Sequence, residues 1–275
     1  MQRAVPAAVA DLREDGWLRA AHAIMTTDTR PKLVSRSVEV SGHRLTITGI
    51  AKGAGMIHPN MATMLGFITT DAKVAPAVLQ QALATACDAT FNAITVDGEC
   101  STNDCVMILA NGASGVAVDE ASIDAFSHAL REVCLRLALG IVRGGEGATK
   151  LLAVTVRNAH SVDDARQVAR TIANSPLVKT AVHGADPNWG RVAMAIGKSA
   201  SASEVDQTRV VIRFGSQEVY PARLDETGLA ALAKYMRGTD VRIHVSLATG
   251  GDSSATVWGC DLTDGYVRIN ADYTT

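Results

Sequence analysis

Ala51-Lys-Gly-Ala-Gly-Met-Ile-His-Pro-Asn-Met-Ala-Thr-Met-Leu-Gly-Phe-Ile-Thr-Thr-Asp71 changes character in its middle. Gly53, Gly55 and Pro59 interrupt regular structure up to about Asn60, whereas residues 64–70 are apolar and partly β-branched and read as a buried strand. Thr63 therefore stands at a loop-to-strand junction. A threonine hydroxyl is a weak nucleophile in mid-chain. It becomes a good one as the first residue of a chain, because its own α-amine, titrating near 7.7–8.0, can take the hydroxyl proton. Thr63 gains such an amine only if the Ala62-Thr63 bond is cut, and the small residues on both sides of that bond suit a tight turn. The residues alone leave two readings open, a strand threonine and a nucleophile released by self-cleavage.

Working outward, Ser37-Val-Glu-Val40 and Leu45-Thr-Ile-Thr-Gly-Ile50 alternate around Ser41-Gly42 and predict a β-hairpin that delivers the chain into the Lys52 loop. Residues 6–25 read as one helix, with Val9, Leu12 and Leu18 apolar among charges. Downstream, Pro76 opens a helix with Leu79, Leu83, Ala86 and Thr90 on one face, and residues 106–110 return as a strand after a polar turn over 97–104. A longer helix begins at Asp119 or Ser122, repeats Ile123, Phe126, Leu130, Val133 and Leu137, and stops at Gly144-Gly145.

Residues 152–156 predict a strand, and Ser161-Val-Asp-Asp164 a helix start with an acid three positions after the cap. A strand-helix passage is expected from Lys179 to Lys198. There Asp186-Pro-Asn-Trp-Gly-Arg191 forms a turn around a buried indole, and a short helix over 192–196 follows. Strands are expected at 209–214, 217–222, 241–248, 255–261 and 266–270, with a helix near 227–237 that Gly238 ends. The sum is a layered α/β protein, mixed sheets covered by helices, divided near residue 160 into segments 1–160 and 161–275.

With 47% hydrophobic but only 4% aromatic residues, the core is expected to be built from small aliphatic side chains in close-packed layers. A formal charge of −2 gives no basic excess for neutralising phosphates, which argues against a nucleic-acid partner. Cys87, Cys100, Cys105, Cys134 and Cys260 are odd in number and form no C-x-x-C pair, so reduced thiols are expected rather than a disulfide frame or zinc site. The histidines show no metal-ligand spacing, no apolar run approaches a membrane span, and the first residues lack a signal-peptide pattern. A cytoplasmic enzyme without metal or cofactor is the expectation.

Lys52-Gly-Ala-Gly-Met56 followed by Met61-Ala-Thr-Met-Leu65 closely resembles the self-processing site of the ornithine acetyltransferases, also called glutamate N-acetyltransferases, of arginine biosynthesis. Met25-Thr-Thr-Asp28, Val96-Asp-Gly-Glu-Cys-Ser-Thr-Asn-Asp104, Gly144-Gly-Glu-Gly-Ala-Thr-Lys150, Asp186-Pro-Asn-Trp-Gly-Arg191 and Tyr266-Val-Arg-Ile-Asn-Ala-Asp-Tyr273 follow in the family's order, so the resemblance covers essentially the whole chain. It implies stacked sheets between helices with the active site where they meet, the fold of the DmpA and ornithine acetyltransferase type of N-terminal-threonine-nucleophile enzyme. It also implies an α chain ending at Ala62, a β chain beginning at Thr63, and their assembly into a heterotetramer. Thr63 would carry an acetyl group from N-acetylornithine to glutamate, and acetyl-CoA is allowed as a co-substrate.

By the same resemblance the substrate is bound by Thr26, Lys52, Thr63, Glu146, Asn270 and Thr275. Each has an ordinary reading beside this one. Lys52 in a flexible glycine loop is otherwise a solvated lysine, Thr26 and Thr27 are turn residues, and Glu146 belongs to a charged loop after a helix. Asn270 and Thr275 stand at a chain end, where strand character at 266–270 would tie them into a sheet. Two departures qualify the match. The family's Ser-Thr-Gly-Val-Ile-Gly string, which supplies oxyanion donors, has no counterpart here, so a member truncated at its N-terminus is expected. Cys100 and Cys105 fall where threonine is usual. Two further readings follow: an N-terminal-nucleophile amidohydrolase or aminopeptidase in which water is the acceptor, and an inactive family fragment.

Overall fold

The computed structural model describes residues 4–40, 42–58, 64–199 and 205–272. The predicted hairpin is longer than its alternating cores: β1 (Lys32–Val40) pairs antiparallel with β2 (His43–Lys52). β2 pairs antiparallel with β3 (Leu65–Thr70), and β3 runs parallel to β4 (Cys105–Ala110), giving a four-stranded sheet in the order β1-β2-β3-β4. Between β3 and β4 the chain passes through α3 (Pro76–Asp88), where Pro76 starts the helix and Leu83 and Ala86 are buried.

The long helix α4 (Ile123–Arg143) follows Ser122 and ends at Gly144, as its periodicity predicts, and buries Phe126, Leu130, Val133, Leu137 and Ile141. It packs on β1 and β2. At Gly49 the approach is close enough that a Cβ would lie 2.8 Å from the Leu137 side chain.

The second sheet holds five strands in the order β7-β6-β8-β5-β9. They are β5 (Leu151–Ala159), β6 (Val211–Phe214), β7 (Gln217–Tyr220), β8 (Asp240–Ser246) and β9 (Ser253–Cys260). β5 and β8 are parallel and the other neighbours antiparallel. Helix α5 (Val162–Ala173) begins where expected, with the Ser161 hydroxyl accepting the Asp164 N–H at 3.1 Å, and lies on β5 and β9 through Ala165, Val168, Ala169 and Ile172. Helix α8 (Glu226–Met236) precedes β8. Leu151 belongs to the core under the first sheet and Leu152 to the core under the second, so the two cores meet at the start of β5, upstream of residue 160.

Four local expectations are corrected. Residues 6–25 form two short helices, α1 (Ala4–Ala10) and α2 (Trp17–Ala23), not one. The stretch between them is polar, ends in Gly16, and leaves Leu12 78% exposed, so no core holds a continuous helix there. No strand occurs at 179–185: Ser175 caps α6 (Pro176–His183), and α7 (Trp189–Gly197) follows the turn. Val178 and Val182, four residues apart, stack on one buried helical face. Tyr266–Asn270 is likewise helical, inside α9 (Asp264–Asp272). Trp189, expected to be buried, is 41% exposed and stacks on Tyr220 with ring centroids 4.8 Å apart. Among the described residues no helix is long and apolar enough to cross a membrane, and all five cysteines are free.

Candidate active site

Lys52 is not in a flexible loop. It is the last residue of β2, buried, and paired with Leu65 of β3. The β2–β3 register closes the intervening loop at its neck. Eleven positions from Thr63 along the chain, Lys52 thus stands opposite a residue two beyond it. Ala62 and Thr63 themselves lie outside the described residues, as does Thr275.

The near side of the neck is held by a buried ion pair. The Asp28 carboxylate accepts the Gly53 N–H at 2.8 Å and the Thr26 N–H at 3.1 Å, and also binds the Lys32 ammonium. Lys32 in turn donates to the Gly53 carbonyl at 3.0 Å. Burial pushes the Asp28 carboxyl up, but Lys32 and the two N–H groups together outweigh it and hold Asp28 below the usual carboxylate range. Thr26 thereby reaches the neck through its backbone, while its side chain is exposed.

The loop beyond Gly53 is pinned from two directions. Asp97 accepts the Met56 N–H at 2.7 Å and the Ile57 N–H at 3.0 Å, which lets Met56 adopt a left-handed φ of 53°. Tyr266 of α9 donates its hydroxyl to the same Asp97 at 3.3 Å. Its phenol is pushed up to about 12, first by burial and then by Asp97.

On the other side Glu146 donates its N–H to the Ala54 carbonyl at 2.8 Å and lays its carboxylate against Gly55. A Cβ on Gly55 would sit 2.5 Å from Glu146 Oε2, so only glycine admits the carboxylate there.

Glu146 and Asn270, 124 positions apart, meet directly: Asn270 Nδ2 donates to Glu146 Oε2 at 2.9 Å. Two features deliver this contact. Gly147, at φ 69°, lets the start of α9 come so close that a Cβ there would lie 2.2 Å from the Tyr266 nitrogen. Asp261, just past β9, accepts the N–H groups of Thr149 and Lys150, both at 2.8 Å, and His183 Nδ1 approaches it at 2.9 Å. Burial raises the Asp261 carboxyl, and the hydrogen bonds from Thr149, Lys150 and His183 outweigh it and hold it below the usual range.

The far side of the neck is held by Asp104, whose Oδ1 accepts the Met64 N–H at 2.7 Å. Burial pushes this carboxyl up, against the pull of Met64 and of the nearby Lys52 ammonium.

The fold therefore brings together Lys52, Glu146, Asn270 and the backbone of Thr26, all expected at the site. Sequence reasoning missed Asp28, Asp97, Asp104 and Asp261. A signal existed for the first three. Each is an acid in a string already singled out, and buried backbone N–H groups need acceptors.

The ArgJ family profile matches residues 1–275. The chain belongs to the ArgJ family. It is 49% identical to the glutamate N-acetyltransferase Oat2 of Streptomyces clavuligerus over 267 residues, which cover 95% of this chain and 66% of that one. It is 47% identical to the arginine biosynthesis bifunctional protein ArgJ of Methylococcus capsulatus over 280 residues, covering 100% of this chain and 68% of that one. The chain thus spans about two thirds of the length of these relatives. The crystal structure of the arginine biosynthesis bifunctional protein argJ from Bacillus halodurans superimposes with a TM-score of 0.70 at 41% identity, covering 75% of this chain and 98% of that one. The layered α/β fold is common to both.

Proposed function

We propose that this chain is a cytoplasmic acetyltransferase of arginine biosynthesis that cuts itself between Ala62 and Thr63 and then carries an acetyl group from N-acetylornithine to glutamate on Thr63. The observation that carries the reading is the convergence of Lys52, Glu146 and Asn270 on the loop that holds Thr63. A buried ammonium at the end of β2 and a buried carboxylate against Gly55 suit a substrate with both a carboxylate and an amine.

In self-cleavage the Thr63 hydroxyl adds to the Ala62 carbonyl and the peptide C–N bond breaks, leaving an ester and a free α-amine. Water then hydrolyses the ester, leaving Ala62 as a carboxylate. In turnover the Thr63 oxygen attacks the acetyl carbonyl of N-acetylornithine and its proton passes to the α-amine. As the C–N bond breaks, that proton goes to the departing ornithine nitrogen. The neutral amine of glutamate next attacks the acetyl ester, a C–N bond forms, and the C–O bond to Thr63 breaks with return of the proton to oxygen. No cofactor enters this exchange. Acetyl-CoA serves as an alternative acetyl donor by the same acyl-enzyme, and two cleaved αβ units assemble into a heterotetramer.

The test is the denatured mass of the purified chain beside Thr63→Ala, followed by transfer of labelled acetyl from N-acetylornithine. Two fragments meeting at Ala62-Thr63 in the wild type only, with labelled N-acetylglutamate formed, are expected. Free labelled acetate without N-acetylglutamate would make the chain a hydrolase instead. A single uncut mass would sink the proposal.

A further inference from the structure

Both polar backbone groups of Met64, the residue after the proposed nucleophile, are bound by two consecutive residues. Its N–H donates to Asp104 Oδ1 at 2.7 Å, and its carbonyl accepts the Cys105 N–H at 3.2 Å. The pairing continues directly into the parallel β3–β4 ladder through Leu65 and Cys105, and the Met64 side chain is 4% exposed. A peptide bound on both edges and anchored by a buried side chain has little freedom to shift. Asp104 stays in that clamp although burial works against its charge.

We infer that Asp104 is a positioning residue for the nucleophile, holding the peptide nitrogen next to Thr63 and setting a negative charge beside the α-amine that self-cleavage exposes. The inference rests on the reading of Thr63 given above.

Covalent geometry carries the second half of the argument. Three bonds separate the Met64 nitrogen from the α-nitrogen of the preceding residue, so the two are never more than about 3.7 Å apart. The Asp104 carboxylate, 2.7 Å from the Met64 nitrogen, is thus held on the peptide nitrogen that follows the nucleophile in the chain. Among the described residues, other charges around the loop are Lys52 at the end of β2, Glu146 against Gly55, Asp97 at Met56 and Ile57, and the Lys32–Asp28 pair at Gly53. Lys32 and Asp28 cancel each other. Lys52 weakens the amine as a base by disfavouring its protonated form, and Asp104 opposes it. The amine needs to be unprotonated to accept the Thr63 proton and basic enough to hold it. Asp104 keeps its basicity up in the presence of a lysine that the substrate carboxylate requires.

The experiment uses the full chain as wild type, Asp104→Asn and Asp104→Ala, with urea denaturation to verify that each folds. Self-cleavage is followed by denatured mass, and kcat/KM for acetyl transfer is measured from pH 5 to 9. Asparagine keeps an oxygen for the Met64 N–H but no charge. Asp104→Asn is therefore expected to cut and to move the acid limb of the profile down by about one pH unit. Asp104→Ala, with no acceptor, is expected to slow self-cleavage at least about tenfold, the effect of losing about 1.4 kcal/mol. A wild type that cuts and transfers, beside an Asp104→Asn with an unmoved profile and an Asp104→Ala that cuts at the wild-type rate, would overturn the inference alone. A wild type that never cuts is the failure of the proposed function and removes the inference with it.

Discussion

Around the loop that follows β2, the charged side chains Asp28, Lys32, Lys52 and Glu146 are buried. Around Asp186-Pro-Asn-Trp-Gly-Arg191, equally rich in Gly, Pro and polar residues, Asp186 stays in water and the indole of Trp189 is the exposed anchor. The second turn meets its backbone needs locally, with the Asn188 side chain accepting the Arg191 N–H at 3.2 Å to cap α7. The first recruits its acceptors from far along the chain, Asp28 and Asp97 lying 25 and about 40 positions from the N–H groups they bind. Buried charge costs free energy unless it is paired and hydrogen-bonded, so it collects where the fold over-determines the geometry. That difference, not composition, separates a candidate active site from a helix entry.

The comparison breaks most visibly at Lys32. Lys32→Met leaves Asp28 charged and uncompensated between Gly53 and Thr26, and is expected to cost about 3–5 kcal/mol in urea denaturation. The double variant Asp28→Leu/Lys32→Met should recover most of that loss, because it removes both desolvated charges together. A cost below about 1 kcal/mol for Lys32→Met would put the loop on the same footing as an exposed turn.

A middle-sized effect is expected from Asp261, which anchors the Glu146 loop. Its carboxyl is depressed in the folded chain, so it stabilises above the unfolded carboxylate value of about 3.9, and this contribution is lost as pH falls below that through the folded value. Asp261→Asn should therefore lower stability by about 1.5 kcal/mol at pH 7 and flatten the acid decline below about pH 4. Urea midpoints measured from pH 7 to pH 3 decide it, and a variant that matches the wild type at every pH would remove Asp261 from the buried network.

Smallest is the change at Trp189, whose stack on Tyr220 is worth about 1 kcal/mol. Trp189→Ala should lower the stability measured by urea denaturation by that amount and leave self-cleavage and acetyl transfer unchanged. A folded Trp189→Ala chain that neither cuts nor transfers would move the site to the second sheet and erase the contrast.

The elements that can be read from the sequence are those whose burial follows a single local period. Phe126, Leu130, Val133 and Leu137 repeat at helical spacing and do form the buried face of α4, and Ser161 and Asp164 mark a helix start that the hydrogen bond between them confirms. The hairpin around Gly42 follows from strict alternation. Where two periods fit, the local pattern misleads. Val178 and Val182 serve a strand or a helix equally, and Tyr266–Asn270 alternates like a strand but has Val267 62% exposed on a helix. At the site, the strings pointed to Lys52, Glu146 and Asn270, and they also contained Asp28, Asp97 and Asp104 without showing which backbone groups those carboxylates bind. A carboxylate that binds a distant N–H leaves no periodic trace.

The sequence by itself determined the layered α/β class, the long helix, the hairpin and the strings that belong to the ArgJ family, because each is written in neighbouring residues whose spacing sets which face is apolar. Only the tertiary structure decided that Lys52 ends a strand opposite Leu65, that α9 is a helix seated on Gly147, and that Asn270 closes on Glu146. Those outcomes depend on which backbone groups find partners when the two sheets and their helices are packed, and on glycines that admit a carboxylate or a helix end where a Cβ would collide.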